Sequence, residues 1–283
     1  VRHEGRAAED GYANELVPGL RASADAVRLA GEIDFAAARL AALALEPPGL
    51  YGEILALGPS ELERASWSCL LVAYLAPTED EDPFASIRTV LEAAPGPEAL
   101  GEGIGGLLDE AELGPRSSHE PGRGQLTLEA YAQWVARAGG GRQAAALGGD
   151  GAWTPERRFS RLYERLSLPG FTRAGRYELL ITLGRLGLYE IQAETLQLGG
   201  PRIGAGEDPT TVAAKRVFGI GDPLLLERRA AALATAAAVP IEALDLALAN
   251  WAAPTRATVG FAADAVDDAP ATGAAAALGA PAD

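Results

Sequence analysis

The 283-residue chain carries 39 acidic against 24 basic side chains, a net charge of −15, and 48% of it is apolar, enough for a sizeable core. One cysteine, Cys69, and two histidines, His3 and His119, exclude an internal disulfide, a thiolate zinc site and a cysteine-ligated iron–sulfur cluster. The charge is uneven: residues 1–114 hold 7 basic and 21 acidic groups, residues 115–260 hold 17 and 14, and residues 261–283 add four acids.

Apolar residues recur at three- and four-residue spacing among Ala, Leu, Arg and Glu, which predicts an all-α protein. In chain order the helices expected are 22–46, 60–76, 84–94, 126–138, 155–167, 173–187, 209–218, 223–238 and 241–252. Ser60 with Glu63 has the spacing of a capping box. Trp67 to Ala76, the most apolar stretch, is too short to span a bilayer and suits a buried helix. The acidic run TEDEDPF (78–84) reads either as a solvated connection capped by Asp82 or as oxygen ligands for a divalent cation.

A Pro/Gly-rich stretch, 95–125, predicts a linker or long loop, and 138–151 a second loop. Within the first, GPRSSHEPGR gathers Arg116, Ser117, Ser118, His119 and Arg123, with no carboxylate evidently placed beside the histidine. Thr154-Pro155, Asp208-Pro209 and Asp222-Pro223 each set a capping side chain before a proline at the first helical position, and Pro240 opens the last helix. From 257 the chain is low in complexity, which predicts disorder. Three regions result: an acidic helical region 1–113, an arginine-bearing helical region 114–256, and a disordered tail 257–283.

Two turns hold the candidate binding residues. In LPGFTRAGRYELL, Pro169-Gly170 breaks one helix and Thr172 can cap the next, with Arg173 and Arg176 near its start. Outward amides, a helix dipole and two guanidinium groups would make a phosphate clamp. The same residues equally describe a plain helical corner. In KRVFGIGDPLLLERRA, the backbone of Gly219 and Gly221 could approach a ligand closely, but Asp222 would repel a phosphate there and favours a structural turn. Lys215, the one lysine, reads as a reactive amine or a surface contact. Asp245 sits at the edge of the stripe Ile241, Leu244, Leu248, Trp251, where Arg228 or Arg229 could pair with it.

The segment 153–252, through LPGFTRAGRYELL and DPTTVAAKRVFGIGDPLLLERRA, resembles the helix-hairpin-helix DNA glycosylases related to endonuclease III. It departs from them at Thr172 and Arg176 and lacks their four-cysteine cluster and the signature around the catalytic aspartate. The resemblance implies a two-lobed helical glycosylase fold, DNA as partner, and base excision with no metal or other cofactor. It would place the catalytic groups among Glu194, Asp208, Lys215 and Asp245. Gly170, Thr172, Arg173, Arg176, Gly219 and Gly221 would then meet DNA. The alternative it leaves is a catalytically inactive helical module binding DNA or protein. Composition adds the expectation of a cytoplasmic bacterial protein: 23 arginines against one lysine indicate GC-rich codons, and VRHEGRAAEDGY lacks the apolar core of a secretory signal.

Overall fold

A computed structural model describes residues 7–199, 207–261 and 272–280. Among these residues the secondary structure is entirely helical, with no strand. The helices are α1 (Ser23–Leu45), α2 (Gly49–Ala56), α3 (Leu62–Leu75), α4 (Ala85–Ala93), α5 (Ile104–Glu110), α6 (Gly124–Gly139), α7 (Gln143–Gly148), α8 (Pro155–Arg165), α9 (Arg173–Arg185), α10 (Pro209–Phe218), α11 (Pro223–Ala237) and α12 (Ala243–Ala252), then a short Ala274–Leu278 turn. No single helix among the described residues is long and apolar enough to cross a membrane.

The chain forms two compact units. One comprises Val1–Ala41, Glu194–Arg256 and Ala262–Asp283; the other comprises Ala42–Ala193 and Ala257–Phe261. Residues 262–271 and 281–283 of the low-complexity tail lie outside the described residues, whereas Val259, Phe261, Ala274 and Leu278 are buried.

In the first unit the Asp-Pro openings behave as their chemistry requires. Asp208 accepts the amide of Thr211 at 2.9 Å to start α10, and Asp222 accepts that of Leu225 at 3.0 Å to start α11. Ala213, Ala214, Val217 and Phe218 of α10 pack with the buried face of α12, whose alanines permit close approach. Arg28 of α1 donates to the carbonyls of Asn250 and Ala253, capping the C-terminal end of α12 with a cation. Arg256 grips both oxygens of Glu32 at 3.0–3.1 Å and lies over the Phe35 ring at 4.6 Å.

The second unit is built on α3. Every residue from Ala65 to Leu75 is buried, so this helix has neighbours all round and no amphipathic face. Its serines bond back to carbonyls one turn earlier, Ser66 to Leu62 and Ser68 to Arg64, which satisfies hydroxyls inside an apolar core. Burial raises the Cys69 thiol far above its ordinary range, so this cysteine stays protonated. Helix α9 packs on α3 and is buried from Gly175 to Leu183. Glu63, expected to close a capping box with Ser60, instead caps α7, accepting the amides of Gln143 at 2.6 Å and Ala144 at 3.0 Å. Asp82 accepts the Phe84 amide at 3.2 Å and pairs with Arg88 at 2.8 Å, so TEDEDPF is a capped connection.

The stretch 95–125 contains more than loop: α5 occupies 104–110, driven by Ile104 and Leu108, which are buried four residues apart. Helices α2 and α7 likewise appear where no helix is expected, and both are short and anchored by tertiary burial.

Candidate functional site

A gathering of polar side chains lies at the start of α9, inside the second unit. Gly170 turns the chain at φ +72°, a conformation glycine adopts at little cost, and a methyl group there would lie 2.2 Å from Thr127 Oγ1. Thr172 then caps α9 by accepting the Gly175 amide at 3.1 Å. Its hydroxyl lies 2.7 Å from that of the buried Ser118, which also accepts the Thr172 amide at 3.4 Å. Gly175 has no room for a side chain, because a methyl group would meet Ser118 Oγ at 2.3 Å.

The two arginines of this turn part company. Arg173 is half-buried beside this helix end, with its guanidinium 5.2 Å from the centre of the Tyr177 ring. Arg176 instead turns into the core. It is 5% exposed, stacks over Tyr163 at 4.3 Å and donates to the Tyr163 carbonyl at 3.1 Å. Its position one turn into a helix buried on all sides decides this: there is no solvent-facing side for it to occupy.

Behind Ser118 runs a chain of polar contacts. His119 Nδ1 lies 3.0 Å from the Tyr74 hydroxyl and Nε2 lies 3.1 Å from Asp109 Oδ1. Asp109 also accepts the Gly122 amide on both oxygens. Burial, ahead of the opposing bond from Thr127, pushes the Tyr74 hydroxyl up to about 12. The 114–119 segment is therefore a strap: Gly114 and Ser118 amides cap the last carbonyls of α3, and Ser118 reaches the start of α9. The carboxylate that seemed absent beside His119 is Asp109, ten residues earlier. The apolar spacing of Ile104, Leu107 and Leu108 was the available signal, because it makes 104–110 a helix that presents Asp109 at its end.

The residues assigned to excision fall elsewhere. Glu194, Asp208, Lys215, Gly219, Gly221 and Asp245 belong to the first unit, while Gly170, Thr172, Arg173 and Arg176 belong to the second. Glu194 is exposed at a bend, and Asp208 is the helix cap described above. Lys215 forms an ion pair with Glu207 and its side chain is 32% exposed. Asp245 is buried to 1% exposure rather than placed at the edge of a stripe, and Arg229 donates to the Glu15 carbonyl at 2.8 Å while Arg228 is exposed. Gly219 ends α10 at φ +64°, its Cα face covered by Gly19, and Gly221 is exposed. Among the described residues, no three His, Cys, Asp or Glu side chains gather to hold a metal ion.

Residues 116–261 match the family described as alpha-glutamyl/putrescinyl thymine pyrophosphorylase clade 3. No curated protein and no solved structure matches the chain. The family match corrects the glycosylase resemblance, and with it both base excision and the inactive-module alternative. The misleading motifs were short: Leu-Pro-Gly turns and Asp-Pro helix openings are general grammar for joining helices, and they carry no chemistry of their own.

Proposed function

The chain belongs to the alpha-glutamyl/putrescinyl thymine pyrophosphorylase clade 3 family, and from that premise we propose that it exchanges pyrophosphate and a glutamyl or putrescinyl amine on a thymine base, the bond to one breaking as the bond to the other forms. The observation that carries this reading is the match over residues 116–261, which takes in residues 116–119 of the strap, α6 to α12 and the whole α9 start. Thymine is the pyrimidine that distinguishes DNA, so DNA is the partner proposed, in a cytoplasmic setting.

The anionic group needs fixed donors and positive charge, because phosphoryl chemistry is helped chiefly by positioning and electrostatic stabilisation. The residues proposed to meet it are Arg173 and Thr172, the latter exposed at the mouth of α9. Ser118 holds Thr172 in place from behind, and the Asp109–His119–Tyr74 chain holds Ser118's loop. Equilibrium dialysis with labelled pyrophosphate tests this assignment. Arg173→Ala is expected to weaken binding about tenfold, the loss of one charge-assisted contact. Undiminished binding by that variant, or no binding by the unaltered chain, overturns it.

A further inference from the structure

The sequence and fold also leave one strongly charged surface that the α9 start does not use. Helix α8 repeats arginine every four residues on its outer side: Arg157, Arg161 and Arg165 are all exposed. At a rise of about 1.5 Å per residue they form a stripe roughly 12 Å long. Arg158, Phe159, Leu162 and Tyr163 are buried on the other side, so the helix cannot rotate to hide the stripe. Arg158 fixes it further, donating to the carbonyls of Gly148 at 2.9 Å, Glu190 at 2.6 Å and Trp153 at 3.4 Å.

The outer arginines are only loosely engaged. The Arg157 guanidinium has no hydrogen-bond partner among the described residues. Arg161 pairs with Glu164 at 3.2 Å, but both are half exposed, and such i,i+3 pairs contribute about 0.5 kcal/mol or less. Arg165 is held over the Trp153 ring at 5.0 Å, which orders its guanidinium without neutralising it. Glu164 shares this face and Glu156 lies in the first turn of α8, so three outer arginines against two acids keep a net positive charge in a chain whose overall charge is −15.

We propose that the outer face of α8 is the surface that tracks the phosphate backbone of the DNA strand whose thymine is acted on; the identity of that strand rests on the function proposed above. One strand carries a charge about every 3.4 Å of axis, so a stripe of roughly 12 Å faces three to four phosphates. Arginine suits this contact, because its planar fork bonds phosphate oxygens in pairs and it is weakly hydrated.

The test is fluorescence anisotropy with a labelled thymine-containing single-stranded oligonucleotide over a salt series, using the full chain. Combined Arg157→Ala, Arg161→Ala and Arg165→Ala is expected to weaken binding at least about tenfold at low salt and to flatten the salt slope by roughly 2, from three lost contacts. The corresponding three Arg→Lys changes keep the charge and are expected to retain most of the slope. Arg64→Ala, an exposed arginine on α3, should change neither. Unchanged affinity and slope in the triple alanine variant overturns the proposal, as does competition by polyglutamate equal to that by DNA. DNA binding through α8 without pyrophosphate turnover leaves the surface standing and removes the thymine chemistry; turnover of a free thymine nucleotide without DNA binding does the reverse.

Discussion

Gly19 and Gly31 show how differently one residue type can be constrained. A methyl group at Gly19 would sit 1.8 Å from the Arg216 carbonyl oxygen, where the N-terminal segment crosses the end of α10 and donates from the Gly19 amide to Val217. At Gly31, exposed within α1, a methyl group meets nothing within 4 Å. Gly19→Ala is therefore expected to destabilise by about 2–3 kcal/mol or more, and Gly31→Ala to stabilise by about 0.5–1 kcal/mol. Urea denaturation of the two variants beside the unaltered chain checks both signs. Tyrosines give a second prediction at this scale. Burial pushes the hydroxyls of Tyr74 and Tyr189 up to about 12 and raises that of Tyr131 well above its ordinary value. Each is held neutral more firmly when folded than when unfolded, so its contribution is complete below about pH 10 and is lost as pH climbs towards 12. Urea midpoints measured from pH 8 to 11.5 should fall at the alkaline end, and Tyr189→Phe should flatten the fall; a midpoint independent of pH there would refute the assignment.

At the scale of elements, α8 depends on one inward arginine. Arg158 ties the two ends of the α7–α8 connection to the segment after α9 by their carbonyls, a task that needs several donors held in one plane. Arg158→Ala is expected to cost about 2–4 kcal/mol, and Arg158→Lys to recover only part of it, in thermal or urea unfolding. Helices of this kind are readable in the chain itself. All nine expected helices form within a few residues of their expected ends, because periodicity, Thr-Pro and Asp-Pro openings act locally. What escaped is tertiary. Helices α5 and α7 are seven and six residues long and persist only because the core receives them. Arg176 looked like a surface charge because nothing local shows that α9 is enclosed on every side. Asp109 looked like linker for the same reason. The candidate site combines both kinds: Gly170, Thr172 and Arg173 are visible in the turn itself, whereas Ser118, His119 and Asp109 join it only through folding.

For the whole molecule, the all-helical architecture and the uneven charge were legible, but the reaction was not. Helical corners with prolines, glycines and arginines serve many activities, so a short resemblance pointed to excision where the match over 116–261 points to pyrophosphate chemistry. The two readings predict different fates for the same base. The direct measurement supplies the purified chain with DNA carrying alpha-glutamyl- or putrescinyl-thymine and isotopically labelled pyrophosphate, then identifies the nucleosides by mass spectrometry after digestion. Labelled pyrophosphate is expected on thymine nucleosides whose sugar bond is intact, with glutamate or putrescine released in equal amount and the yield reduced by Arg173→Ala. Thymine nucleosides that never take up label, or bases released free from an untouched pyrophosphate pool, would contradict it.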